Sequence, residues 1–364
     1  MSKGTVLVAM SGGVDSSVAA CLLLEQGYEV VGSHMRLVHL DGVEHGCCGP
    51  SARNDAAEVA RIAGFPFEIC DLSDEFERTV IGDFVAEHEA GRTPNPCARC
   101  NGEIKFGAFL RRADELGIDA VATGHYVRTD RSGRRRTDRS GRRLRLLRGA
   151  DHAKDQSYML HMLGQRELSR SRFPVGGMRK AETRAAAERY GLPVANKPDS
   201  QELCFAPSGE AGAYLASAAP HLMRDGEVVD TDGRVLAYHA GSAAFTVGQR
   251  RGLGVSGREP SFVLEIDAQA NRVVVGPGEL LARSGAIADR VSWVAGEPPS
   301  GVPFEAEVRI RYRGDDVPAV VEPLGDAVRI EFRTPQRGVA PGQSAVVYRG
   351  EELLGGGRIV DALR

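Results

Sequence analysis

Apolar and polar positions alternate in two different rhythms along this chain. In the first half, Thr5 to Met10 form an apolar run of β type, and Val18 to Gln26 carries apolar residues at helical spacing until Gly27 closes it. Val30 to Met35 predicts a second strand, Ala52 to Ala63 a helix, and Ile69 to Asp71 a third strand. Glu75 to Glu89 and Lys105 to Glu115 predict two further helices, and Ala120 to Thr123 a fourth strand. Strand and helix taking turns in this way predict an α/β domain with a doubly wound parallel sheet.

The rhythm changes near residue 209. From there short β runs are separated by turn residues: Glu227 to Val229, Arg234 to Tyr238, Phe262 to Ile266 and Arg272 to Val275. The same style continues through Ala306 to Tyr312, Ala319 to Glu322, Ala327 to Phe332 and Ser344 to Tyr348, the spacing of small antiparallel domains or barrels. The expected organisation is an α/β domain over residues 1–208, a β-rich module over 209–282 and a β-barrel over 283–364.

Composition narrows the class. With 42% hydrophobic and 26% charged residues the chain is expected to be globular. No run approaches the roughly 18–20 apolar residues of a membrane span. The N-terminus enters a strand at once, without the pattern of a secretory signal. A cytoplasmic enzyme with no membrane partner is the expectation. Seven cysteines, an odd number in a chain this long, do not suggest a secreted disulfide framework.

A net charge of −3 gives no global nucleic-acid signature, so any contact with a polynucleotide must come from local patches. One candidate is an exact repeat, Arg128-Thr-Asp-Arg-Ser-Gly-Arg-Arg135 followed by the same eight residues ending at Arg143, with eight Arg against two Asp. It reads either as an RNA-phosphate clamp or as a solvated hairpin tip between strands at Tyr126-Val127 and Leu144 to Leu147. The second reading is preferred.

The candidate chemistry begins after the first strand, at Ser11-Gly12-Gly13-Val14-Asp15-Ser16-Ser17. Glycines allow a tight turn that brings N–H groups to a ligand, and the following helix N-terminus adds unpaired donors and partial positive charge, which together make an anion site. The run has neither the lysine of the usual nucleoside-triphosphate loop nor a Gly-x-Gly-x-x-Gly pattern. Asp15 would repel phosphate unless a divalent cation lay between them, which points to Mg²⁺. The motif resembles the PP-loop pyrophosphatase superfamily, whose members split ATP between the α and β phosphates, adenylate an oxygen, and let a nucleophile displace AMP.

Further motifs follow in order: Thr93-Pro94-Asn95-Pro96-Cys97-Ala98-Arg99-Cys100-Asn101, Thr123-Gly124-His125-Tyr126, Lys154-Asp155-Gln156-Ser157, Asp199-Ser-Gln-Glu-Leu-Cys204-Phe205, and Thr246-Val-Gly-Gln-Arg-Arg-Gly-Leu-Gly254. Arg311-Tyr312 and Ala340-Pro341-Gly342-Gln343 come near the C-terminus. Prolines 94 and 96 predict a rigid loop that presents Cys97 and Cys100 from a defined backbone. Together these motifs resemble the tRNA-specific 2-thiouridylase family over essentially the whole chain. The resemblance implies that Cys100 is the catalytic nucleophile and that Cys204 carries a persulfide. It implies ATP contacts from Ala9, Met10, Ser11, Gly12, Gly13, Val14, Asp15, Ser16, Met35 and Gly124, and contact with the target base by Asn95, Pro96 and Cys97. It implies tRNA contacts from His125, Lys154, Asp155, Gln156, Arg311, Tyr312 and Gln343. The implied partners are a tRNA with a modifiable wobble uridine and a cysteine desulfurase or other persulfide donor.

The chemistry is consistent with these residue types. A uracil C2 carbonyl is a poor electrophile, and adenylating its oxygen makes AMP the leaving group. A persulfide can then supply sulfur while the remaining thiols close onto a disulfide. This chain departs from the family's usual form at Cys97, where Asp is expected. The resulting Cys-x-x-Cys leaves three readings open: a persulfide relay through Cys100 and Cys204, a [4Fe–4S] cluster on Cys97, Cys100 and Cys204 that activates sulfide, or a zinc site completed by a fourth ligand. Cys21 and Cys70 read as buried hydrophobes, and Cys47-Cys48 as incidental. A PP-loop ligase acting on a small molecule is the rival function, since it would need neither the cysteines nor β-rich modules that face RNA.

Overall fold

In the computed structural model, which describes residues 2–38, 49–130, 143–199, 203–206, 211–256 and 259–364, the first half forms the expected α/β layer. Strand β1 (Thr5–Ala9) leads into helix α1 (Val14–Glu25), β2 (Glu29–Arg36) into α2 (Pro50–Ala63), and then come β3 (Phe67–Asp71) and β4 (Ala120–Ala122). Strands β5 (Val127–Asp130) and β6 (Arg145–Arg148) form a hairpin that leaves this sheet, and β7 (Ser171–Arg172) returns to its edge. The sheet order is β3-β2-β1-β4-β7, all parallel. The alternation of β1 explains its central place. Val6 and Val8 enter a core built with α1, α2 and the helix Lys180–Arg189, while Leu7 and Ala9 enter a second core with Phe106 and Phe109. Strands β2 and β4 flank β1 on opposite sides, so a crevice opens at their carboxyl ends, where doubly wound sheets bind ligands.

The middle module contains β8 (Gly226–Val229), β9 (Val235–His239), β10 (Phe262–Asp267) and β11 (Arg272–Gly276), in the order β10-β11-β8-β9 around Val228, Phe245, Val263 and Val273. The last part is a closed barrel of β12 (Ala282–Trp293), β13 (Phe304–Arg309), β14 (Val317–Leu324), β15 (Ala327–Arg337), β16 (Ser344–Arg349) and β17 (Glu352–Leu363), sealed by antiparallel pairing of β12 with β17. Those two seam strands carry no clear alternation. Gly355, Gly356 and Gly357 in β17 look like a turn in the sequence, yet an added Cβ at Gly355 would lie 2.3 Å from the carbonyl of Ser292 and one at Gly357 2.5 Å from that of Asp289. The glycines let the seam strands approach closely. The run expected over Ala306 to Tyr312 ends as a strand at Arg309, which leaves Arg311 and Tyr312 on a turn.

The hairpin β5–β6 is not an appendage of the first sheet. Leu146 and Leu147 pair with Leu353 and Glu352 of β17, so the hairpin extends the barrel wall. Next to that suture Arg148, 5% exposed, donates to Asp155 at 3.3 Å and to Asp316 at 2.8 Å and stacks over Tyr348 with 3.7 Å to the ring centre. Arg309 also pairs with Asp316. A buried charge is tolerable when paired and hydrogen-bonded in this way, and the cluster locks the α/β layer to the barrel. Arg128 and Arg143 pair with Glu351 and Glu297, whereas residues 131–142 of the Arg-rich repeat lie outside the described residues. Among the described residues no helix is long and apolar enough to cross a membrane.

Candidate active site

The phosphate loop sits at the crevice between β1 and β4. Gly12 has φ +68°, and a Cβ there would lie 2.0 Å from the carbonyl of Ala52 in the first turn of α2, so the position requires glycine twice over. A Cβ at Gly124, which follows β4, would lie 2.6 Å from the Ser16 nitrogen. Gly13 is the extended residue before α1. Ser16 Oγ accepts from the Ser11 N–H at 3.2 Å, Ser11 and Ser16 hydroxyls meet at 3.1 Å, and Ser17 Oγ donates to the Gly13 carbonyl at 2.8 Å. These bonds hold a compact turn at the positive end of α1. Ala9, Met10, Val14 and Ser16 are buried beneath it, and Met35 lies half-buried near the carboxyl end of β2.

Asp15 is already partnered. Both its oxygens take the Lys180 ammonium, at 2.7 and 2.8 Å, and Oδ1 also accepts from the Tyr126 hydroxyl at 2.7 Å. Lys180 reaches Asp199 as well, at 2.7 Å, while Lys154 takes the other Asp199 oxygen at 2.8 Å. Burial pushes the Asp199 carboxyl up, but the bonds from Lys154 and Lys180 outweigh it and hold the group below its usual value. Lys197 donates to the Gly12 carbonyl at 3.0 Å, so the segment leading to Asp199 wraps the loop.

The cysteine segment is a helix start and not the rigid loop expected from its prolines. Asn95 is the N-cap, its Oδ1 accepting from the Ala98 N–H at 3.1 Å, and Pro96 occupies the first helical position, where its missing N–H costs nothing. Asn-Pro before a polar-apolar run is the sequence signal for this. The helix Pro96–Cys100 passes into wider turns over Asn101–Ala108 and then into Phe109–Glu115. Wider turns of this kind often mark functional sites. Cys97 is exposed and Cys100 buried. Cys100 shares one apolar cluster with Phe76, Phe84, Ile104 and Phe205, and Cys204 and Met35 pack against that cluster. The fold thus brings two cysteines distant in sequence to the same end of the sheet as the phosphate loop. All three remain thiols in this structure. Among the described residues no three His, Cys, Asp or Glu side chains converge closely enough to hold a metal ion.

The barrel braces this helix. Gln343 donates to the Thr93 carbonyl at 2.8 Å, the Thr93 N–H donates to the Pro341 carbonyl at 2.8 Å, and a Cβ on Gly342 would lie 2.7 Å from the Thr93 backbone. Residues 4–208 match the tRNA methyl transferase HUP domain family, 214–277 the tRNA methyl transferase PRC-barrel domain, and 283–359 the aminomethyltransferase β-barrel domain. The chain is 46% identical to the tRNA-specific 2-thiouridylase MnmA of Acidithiobacillus ferrooxidans over 361 residues, covering 99% of both chains. It is 45% identical to that of Geobacter metallireducens, covering 100% of this chain and 98% of the relative, and 46% identical to that of Mycobacteroides abscessus, covering 96% and 98%. The chain belongs to the tRNA-specific 2-thiouridylase family.

Several residues to which the thiouridylase resemblance gives a tRNA contact are placed within the protein. The Asp155 carboxylate, 3% exposed, is saturated by Arg148, the Gly149 and Ser157 N–H groups and the Ser157 hydroxyl. These bonds fix the loop from within. His125 is buried against Thr123 Oγ1 at 2.8 Å, and burial, with Lys105 nearby, drives it well below its usual pKa, so it is neutral. Gln156 exchanges bonds with the Tyr126 backbone, and Lys154 faces Asp199. Arg311 is exposed, and Tyr312 stands half-buried beside Tyr158 in surroundings that include Cys97 and Lys154. Lys180 and Tyr126 lay outside the sequence reading as site residues. Asp199 was visible there only as the head of the Cys204 motif, because the ionic contact that gives it a role joins segments far apart in the chain.

Proposed function

We propose that this protein is an ATP-dependent tRNA-uridine 2-sulfurtransferase that replaces the C2 oxygen of a wobble uridine with sulfur. The observation that carries the reading is the meeting of Cys100 and Cys204 at one apolar cluster beside an anion-cradling turn. Its family relatives are named tRNA-specific 2-thiouridylase. A methyl transfer, suggested by the names of the domain families, would leave that cysteine pair without work.

In this reading the turn from Ser11 to Ser17, with Gly124 and Met35, receives ATP. The uridine O2 attacks the α-phosphorus, the bond to the β-phosphate breaks, and pyrophosphate leaves with the electron pair while the N3 proton goes to solvent. The terminal sulfur of a Cys204 persulfide attacks C2, and AMP leaves with the C2–O bond electrons. The Cys100 thiolate then attacks Cys204 Sγ, forming a disulfide and leaving the transferred sulfur on C2. A thiol reductant reopens the disulfide, and a cysteine desulfurase or other persulfide donor reloads Cys204. Magnesium fits this site only as a companion of the nucleotide, since Asp15 is the one carboxylate at the loop and Mg²⁺ is commonly held by one or two carboxylates together with substrate phosphates. Arg311, Tyr312 and Gln343 on residues 283–364 would meet the tRNA, while 1–208 hold the chemistry and 209–282 touch Gly91 and Thr93 through Ile266 and Thr246.

The test is a single-turnover assay with full-length protein, ATP and tRNA. Pyrophosphate release should require tRNA, and Cys100→Ser and Cys204→Ser should retain it while forming no thiolated uridine. Release at the same rate without tRNA would support the small-molecule ligase instead. Cys97→Asp should stay active with persulfide sulfur. Activity that tracks bound iron, with free sulfide as donor, would establish the [4Fe–4S] route and overturn the relay.

A further inference from the structure

The phosphate loop contains no lysine of its own, and the structure delivers one from far along the chain. Lys180 opens the helix Lys180–Arg189, a position where the helix dipole disfavours a cation. Its backbone N–H is held by Asp151 at 2.9 Å and its side chain is only 12% exposed, so the ammonium is aimed at Asp15 and Asp199 rather than swept through solvent. A shielded ion pair is weak evidence of a role in stability, and an acid in the first turn of α1 is already favoured by that helix, so folding alone gives weak reason for this arrangement. It places a shielded cation within bonding distance of the one acidic side chain in an anion-binding turn.

We propose that Lys180 is the phosphate-binding cation of the nucleotide site, exchanging its contact with Asp15 for the phosphates that leave as pyrophosphate. The inference rests on the nucleotide reading above. The Lys180 ammonium neutralises Asp15 and so keeps an acid tolerable beside a phosphate cradle. When nucleotide enters, its β- and γ-phosphates outcompete a single carboxylate for the ammonium, and Asp15 would then be free to hold a divalent ion, which would offset the phosphate charge. As the bond between the α-phosphorus and the bridging oxygen breaks, an N–H of Lys180 donates to the oxygen that receives the electron pair. Lys154 and Arg184, at 2.8 and 3.5 Å, keep Asp199 paired when Lys180 turns away.

The test compares ATP and AMP as probes, by calorimetry on the full chain, for wild type, Lys180→Met and Lys180→Arg, with thermal unfolding measured beside each. Lys180→Met should weaken ATP at least tenfold and leave AMP within twofold, and Lys180→Arg should recover part of the loss. A parallel loss for both nucleotides, or no loss for either, in a folded Lys180→Met protein would overturn the proposal and leave Lys180 a structural partner of Asp15. If Lys180→Met does not fold, the same ATP-to-AMP ratio measured on Lys180→Gln decides, since an unchanged ratio in a folded protein without the cation overturns the phosphate contact. Wild-type protein that binds neither nucleotide would instead overturn the nucleotide reading itself.

Discussion

The phosphate turn and the cysteine helix are built by opposite strategies. Residues 11–17 are held largely by bonds to one another and by the β1–α1 geometry around them. The helix that carries Cys97 and Cys100 begins with its own cap, yet its entry is held by Gly342 and Gln343 of the barrel, and its partner Cys204 comes from a segment anchored at Asp199. One site is local and the other is assembled. The segments that reach the turn, at Tyr126, Lys180 and Lys197, lie in the same α/β layer, so the turn does not depend on where the barrel sits, whereas an assembled site couples chemistry to the placement of the domain that would bring RNA.

Breaking the joint between the layers should have the largest effect. Arg148→Met strands Asp155 without its main cation in a buried setting, and should cost about 3–5 kcal/mol of stability, read by denaturant unfolding. Gly12→Ala strikes the local site. A Cβ 2.0 Å from the Ala52 carbonyl at positive φ forces the turn open, so ATP binding should fall by at least tenfold with a stability loss of roughly 2–4 kcal/mol. If ATP binding survives Gly12→Ala, the turn is not the cradle. Gln343→Ala sharpens the contrast. It removes one bond to Thr93, worth about 1 kcal/mol, and should slow thiolation several-fold while ATP affinity stays at the wild-type level. Equal loss of both would show that the two sites are not independent.

The smallest effect at neutral pH belongs to His161, at the same brace, and it grows as the pH falls. His161 bonds Ser344 through Nε2 at 3.0 Å and lines a cavity of about 140 Å³ with Asn95, Gly102 and Gly342. Burial lowers its pKa to about 4. The folded-state value lies below the unfolded one, so the unfolded chain binds the extra proton between pH 6.5 and 4. Stability is therefore full above that window and falls as pH drops through it, by up to about 3 kcal/mol. His161→Asn should flatten this part of the stability profile while leaving the neutral-pH melting temperature within a few degrees, and an unchanged acid slope would assign it to other groups.

Much of this was legible without coordinates. The α/β alternation, the phosphate turn, the cysteine motifs and most barrel strands rest on patterns within about ten residues, such as period-2 or helical apolar spacing and glycines in a turn. Those signals are local because backbone dihedrals and side-chain direction are decided by near neighbours. What escaped depends on which surfaces meet. The seam strands β12 and β17 are held by pairing with each other, and three glycines that weaken a strand in isolation allow its close approach in the barrel. The hairpin β5–β6 joined the barrel through four residues of β6 and β17. The resemblance implied a tRNA contact for Asp155, and only the meeting of Arg148 with Asp155, Asp316 and Tyr348 reveals a buried joint there. Lys180 met Asp15 because the helix that bears it packs against α1. Sequence alone determined the layers and the reactive groups; the tertiary structure decided which of those groups touch, because long-range contacts are chosen by the fit of whole faces, a property no single segment carries.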